Sequence, residues 1–220
     1  MSSQDSATQP ATASSRSKIT PEREQEFYEA VLELLREGGY DALTMEGVAS
    51  RSRCGKSTLY RQWGSKPQLV ACALRGTRAG SLTSIDTGTL AGDLRETATS
   101  LGAHSGRDTP LMHALSHAAL QNPELLEALR EGLVEPAAAA INAMVTRAVA
   151  RGEVAADNPA LEFVAPQLLG AMRIRPMLEG HYGDAEYLSR FIEGAVLPAL
   201  GLAGSRDRET PKVPDPASPA

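Results

Sequence analysis

Phe27, Ala30, Val31, Leu34 and Leu35 fall at i, i+3, i+4, i+7 and i+8, so the first regular segment reads as a helix with one apolar face. Thr20 can cap it, Pro21 suits its first position, and Gly38-Gly39 stops it. Thr44 can cap a short second helix that turns Met45, Val48 and Ala49 inward. Ser52-Arg53-Cys54-Gly55 reads as a tight turn. A third helix follows from about Lys56 to Trp63, with Leu59 and Trp63 one turn apart on its inner side. Ser65 can cap a fourth helix running through about Ala79.

After a Gly-, Ser- and Thr-rich break near 80–89, helical periodicity resumes near 90–104, 109–120, 123–151, 158–179 and 184–201. Leu161, Val164, Ala165, Leu168, Leu169 and Met172 form one apolar stripe. Leu188, Phe191, Ile192, Ala195, Val196, Ala199 and Leu200 form another. Pro166 and Pro198 fall inside these segments and are expected to kink or locally open them. No stretch alternates with period two for long enough to make a sheet, and no repeat is present, so the expected fold class is all-α. Residues 1–18 and 203–220, polar and in the second case Pro-rich, cannot bury enough apolar surface to order themselves and read as disordered tails.

Charge sharpens the picture. The 220 residues carry a net charge of −5, which disfavours a polyanion partner for the molecule as a whole. Yet from Gly47 to Ile85 there are seven basic residues (Arg51, Arg53, Lys56, Arg61, Lys66, Arg75, Arg78) and no Asp or Glu. Residues 16–78 hold 11 Lys and Arg against 8 Asp and Glu, and residues 79–220 hold 11 against 18. A small polyanion-facing module joined to a larger acidic one is the natural reading. Two cysteines, Cys54 and Cys72, make no disulfide framework and no metal-ligand spacing, as expected of a reduced, cytoplasmic setting. The first residues lack an apolar signal core, and no run of 18 apolar residues exists, so no membrane span is expected.

Two short helices around a tight turn, on such a basic window, suit entry into a DNA major groove. A reading helix needs outward donors short enough to reach base edges, and Lys56, Ser57, Thr58 and Arg61 meet that need. Tyr60 offers a hydroxyl to a phosphate oxygen. Thr44 at a helix start, Arg53 in the turn and Lys66 at the next helix start suit backbone contact.

The stretch Thr44–Val70, TMEGVASRSRCGKSTLYRQWGSKPQLV, resembles the helix-turn-helix of the tetracycline-repressor (TetR) family of bacterial transcriptional regulators. The resemblance covers about Phe27 to Val70 and rests on Thr44, Val48-Ala49, Gly55, Thr58-Leu59-Tyr60, Trp63, Lys66 and Leu69. It implies an all-helical homodimer. A helix-turn-helix domain over 19–65 would precede a ligand-binding and dimerisation domain over 66–202. One departure is the turn, where the family has a small Gly then a branched apolar residue and this chain has Arg53-Cys54.

The implied partners are double-stranded DNA and an unidentified small-molecule effector. Its site is expected among Met112, His113, Leu115, His117, Met144, Phe163, Gln167 and Arg173, which mix apolar and polar character. Dimerisation is expected through the two last stripes, with Leu161, Leu168, Gly170, Leu188, Phe191 and Ala195 at the interface. The resulting expectation is a repressor at the nucleoid that binds a palindrome and is released by ligand. An architectural DNA-binding protein without effector, or a ligand carrier or enzyme on the same fold, are the alternatives.

Other signals weigh less. Gly55-Lys56-Ser57-Thr58 matches the end of a phosphate-binding loop, but Ser50 stands where that motif needs Gly, and a helix leads in. His113 and His117 share a helix face at a zinc-compatible spacing, with no third ligand apparent. Cys54 beside basic residues suits either a redox-sensitive thiol or a small apolar plug, and the plug is the simpler reading. No nucleophile–base constellation is present, so no catalysis, cofactor or metal is expected.

Overall fold

The computed structural model describes residues 19–77, 82–102, 105–180 and 183–202, and no strand occurs among the described residues. Both expected tails lie outside them, as do Arg78 and Ala79 of the fourth expected helix. The helices are α1 (Pro21–Ala42), α2 (Met45–Arg51), α3 (Lys56–Trp63), α4 (Lys66–Thr77), α5 (Leu90–Gly102), α6 (Ser105–Gln121), α7 (Pro123–Leu129), α8 (Glu135–Ala150), α9 (Val164–Glu179), α10 (Ala185–Phe191) and α11 (Leu197–Ala199). A π turn over Arg130–Val134 joins α7 to α8, and another over Ile192–Val196 joins α10 to α11.

The caps follow side-chain chemistry. Thr20, Thr44, Asn122 and Asp184 each accept the backbone N–H three residues on, at 3.3, 3.0, 2.9 and 2.8 Å. Ser65 caps α4 in the same way, taking Gln68 N–H at 3.4 Å. Gly39, at φ 75°, breaks α1 in a left-handed conformation that costs glycine little, and one further turn carries the chain to Ala42.

The two prolines singled out in the sequence behave differently from each other. Pro166 sits in the first turn of α9, where a missing N–H costs nothing, so the expected kink is absent there. Pro198 lies two residues past the end of the π turn of Ile192–Val196, so the helix does open just before it. The prolines inside helices are Pro110 in α6 and Pro176 in α9.

Packing gathers into two apolar clusters. One joins α1–α4 to α6 and α7 around Phe27, Val31, Leu59, Leu69, Leu115 and Leu125. The other joins α5, α8, α9 and α10 around Leu94, Ile141, Met144, Leu168, Leu188 and Ile192. Core packing thus crosses the 65/66 division drawn from the sequence. α4 meets the π turn after α7 so closely that a Cβ on Gly132 would stand 3.0 Å from that of Ala71.

The helical run Pro123–Ala150 spans both clusters. It is long and apolar enough to cross a membrane, with a mean hydropathy of 1.2 in its most apolar window. Here Leu125, Ala128 and Leu129 bury into the first cluster, and Ile141, Met144 and Ala148 into the second. Arg130 within it pairs with Glu127 and Glu135 on the surface. The 82–89 connection is stapled down by Asp93, fully buried, which accepts from Thr87 N–H at 2.6 Å and from Arg147 at 3.2 Å.

Candidate nucleic-acid interface

Leu59 and Trp63 fix α3 to the body, and both are buried. Trp63 meets Phe27 edge-on with ring centroids 5.3 Å apart and Tyr28 at 6.0 Å. With that face committed, Lys56, Ser57, Tyr60 and Arg61 are exposed along the other, and Thr58 is half-buried between. Gly55 caps α3 without a side-chain acceptor, so the first N–H groups of the helix point outward unclaimed by a cap.

The turn before α3 closes as a Schellman motif. Cys54 N–H donates to Ala49 C=O at 2.9 Å and Arg53 N–H to Ser50 C=O at 3.2 Å. This places Arg53 at φ 50°, the left-handed position that usually takes Gly. The departure seen in the sequence is accommodated by backbone strain, and the Arg53 side chain is exposed. Cys54 packs half-buried against the first cluster, as an apolar plug would. Arg23 of α1, lying 4.7 Å from the Phe27 ring centroid, donates to Ser52 C=O and so ties the start of α1 to this turn. Its role was invisible in the sequence because its partner is a backbone carbonyl 29 residues away.

The basic window is less positive than its composition. Arg51 makes a two-pronged contact with Glu37 at 2.7 and 2.8 Å, and that bond holds the Glu37 carboxyl below the usual carboxylate range. Lys56 pairs with Glu46 of α2 and stands 5.6 Å from the centroid of the Tyr60 ring. Glu46 lies one residue outside the acid-free stretch, which is why the sequence hid this pairing.

Lys66, expected at a phosphate, has partners within the protomer. Its ammonium donates to Tyr40 C=O and Leu43 C=O, both at 3.0 Å, and sits 4.0 Å over the Tyr40 ring. It therefore satisfies carbonyls at the end of α1, and burial pushes its pKa below the ordinary lysine value. Thr44 Oγ1 is taken as a cap acceptor, which leaves its O–H free to donate to a phosphate.

The expected effector residues divide between the two apolar clusters and the surface. Met112 packs against the first cluster, whereas Met144 is fully buried in the second and accepts from Thr97 Oγ1 at 3.5 Å. His117 and Phe163 are exposed, and His113, Gln167 and Arg173 are half-buried. The expected dimer residues divide as well. Leu168 and Leu188 have 0% exposure and belong to the protomer's own core, because they occupy the inward edge of each stripe. Leu161 and Phe191 are half-buried, whereas Gly170 and Ala195 lie on the surface. Gly170 shares the exposed side of α9 with Pro166 and Ile174, and Met177 continues that row.

A braced two-helix reading head on a helical body defines a helix-turn-helix regulator. Comparison with known proteins makes this specific. The family described as "Bacterial regulatory proteins, tetR family" matches residues 27–72, and "Tetracyclin repressor-like, C-terminal domain" matches residues 84–195. A Mycobacterium tuberculosis protein named as an uncharacterised HTH-type transcriptional regulator is 30% identical over 181 residues, 81% of this chain and 88% of its own. The DNA-binding transcriptional repressor TetR of Mycobacteroides abscessus is 31% identical over 170 residues, 76% of this chain and 87% of its own.

Among solved structures, the TetR family transcription regulator SCO0332 superposes with a TM-score of 0.66 at 26% identity, over 81% of this chain and 98% of that one. Bacillus subtilis FadR, solved with stearoyl-CoA, shares the fold at a TM-score of 0.58 and 13% identity, over 80% and 96% of the two chains. The chain belongs to the tetracycline-repressor family and is a DNA-binding transcriptional regulator.

Proposed function

We propose that the protein is a cytoplasmic one-component repressor that acts without catalysis. A homodimer sets two α3 helices about 34–36 Å apart in successive major grooves of a palindromic operator. The observation that carries this reading is the exposed Lys56–Ser57–Arg61 edge of α3, held on a core that fixes its angle. Lys56, Ser57, Thr58 and Arg61 are assigned to base edges, and Thr44, Arg53 and Tyr60 to phosphates. Lys66 is assigned to holding α1.

The dimer face is assigned to α9 with α10–α11. Phe163, Ile174 and Met177 are 50%, 44% and 73% exposed, too much apolar surface for one element to leave in water. Gly170 and Gly194 have nothing within 4 Å of where a Cβ would stand, so a second copy can approach them closely. Leu161, Phe191 and Ala195 flank that surface.

A small apolar effector in the C-terminal domain would favour a different spacing of the two heads and so lower operator affinity. The acyl-CoA held by FadR supports a long-chain acyl group as the first probe.

The test is binding to DNA from upstream of the protein's own gene, against unrelated duplex, at two salt concentrations and with stearoyl-CoA added. Selective binding that weakens with an effector is expected. Binding indifferent to sequence and lost with salt would overturn the reading in favour of an architectural role.

A further inference from the structure

Between Asp41 and Asp86 the chain carries a single acidic residue, Glu46, and it stands beside α3. Glu46 lies in the first turn of α2, where a carboxylate favours the helix end on its own account. That role needs no partner in α3. Yet Glu46 Oε1 accepts from the ammonium of Lys56, the first residue of α3, and both side chains are exposed. Among the described residues Glu46 Oε2 takes no hydrogen bond. Lys56 keeps two N–H groups beyond the one it gives to Glu46. The Tyr60 ring, one turn along α3, has its centroid 5.6 Å from that ammonium and adds a second attraction.

A carboxylate on a surface that meets DNA is repelled by phosphates whatever the sequence. The cost is offset only where a base donor reaches it, so the group discriminates by penalising every other sequence. In the major groove cytosine offers its N4 amino group beside the O6 and N7 acceptors of its guanine. A joined ammonium and carboxylate present the matching pattern, donors toward guanine and an acceptor toward cytosine. Turned round, the same base pair sets the carboxylate against guanine acceptors. An adenine–thymine pair places its donor between two acceptors and adds a methyl group.

We propose that Glu46 is a specificity-determining residue, joined with Lys56 to read one G·C pair of fixed orientation in each half-site. This rests on the reading of α3 as the major-groove helix. Lys56 donates to guanine and Glu46 Oε2 accepts from cytosine N4. Without Glu46 the lysine settles on a phosphate, which carries no base information.

The test is selection of duplexes from a randomised pool by the wild type, Glu46→Ala and Lys56→Met. The wild-type consensus and a random duplex are then titrated across a salt series. The wild type is expected to select a palindrome with one fixed G·C pair per half-site, which both variants relax while the other positions stay as they were. Glu46→Ala should bind random duplex roughly fivefold more tightly at about 0.15 M salt, as the released lysine takes a phosphate. Its slope of log K against log salt there should steepen by about 0.9 per bound chain. Its preference for the consensus over random duplex should fall roughly tenfold or more. Its melting temperature should barely move, because an exposed ion pair contributes little to folding. A Glu46→Ala variant that selects the wild-type sequence would overturn the role of Glu46. If Lys56→Met also selects that sequence, or the wild type selects none, the reading of α3 itself falls.

Discussion

A lysine at a helix start can reach forward to a phosphate or back to the carbonyls behind it, and Lys66 has taken the carbonyls. Lys66→Met should therefore cost about 1–3 kcal/mol of stability by leaving the Leu43 carbonyl without its lysine partner, whereas the Tyr40 carbonyl keeps the Leu43 N–H at 3.2 Å. Its salt slope for DNA should stay unchanged, and thermal melts beside a salt series separate the two effects. Arg53 offers the converse trade. Arg53→Gly relieves a left-handed residue and should stabilise by about 1 kcal/mol, while flattening the salt slope by about 0.9 per chain. A variant less stable than the wild type would contradict the strain seen at φ 50°. Tyr28 titrates with the fold: burial first, then its hydrogen bond to Glu24, push its phenol up to about 12. The sign follows from a folded pKa above the unfolded value near 10. Its contribution is whole below pH 10 and is lost as pH rises toward 12. Tyr28→Phe should remove that part of the alkaline loss, read by denaturant melts at pH 9 and pH 11.

At the scale of elements, α5 and α10 cross where no side chain fits. A Cβ on Gly102 would stand 2.3 Å from the backbone N of Ala185. Gly102→Ala should destabilise by roughly 1–3 kcal/mol through overpacking, and a melting temperature at or above the wild type would contradict this contact. Periodicity and capping made most elements legible in advance, because Thr20, Thr44 and Ser65 act within three residues of themselves. The exposed side of α3 was equally legible, since Leu59 and Trp63 leave only one side of that helix outward. What the sequence concealed was relational. Glu46 on Lys56, Arg23 on Ser52 and Lys66 on Tyr40 each join residues 10 to 29 positions apart, where no local pattern marks the pair. A stripe also does not say which of its edges faces the protomer and which the partner, so Leu168 and Gly170 were read together although they lie on opposite sides of α9.

For the whole molecule that distinction is testable. Ile174→Glu, on the exposed side of α9, should yield a folded monomer whose affinity for a palindromic site drops at least tenfold, seen by sedimentation and DNA titration. Leu168→Ala should instead cost about 2–5 kcal/mol of protomer stability through a core cavity. The grouping of α1–α4 with α6 and α7 bears on inheritance as much as on stability. A reading head cut after α4 would carry away Leu69, Val70 and Leu74 stripped of Leu115, Leu125 and Leu129. The head and these two sensor-side helices must then be exchanged as one block. Grafting this operator preference onto a relative's effector response should succeed with the seam beyond Gly132, and should give insoluble protein with the seam directly after α4.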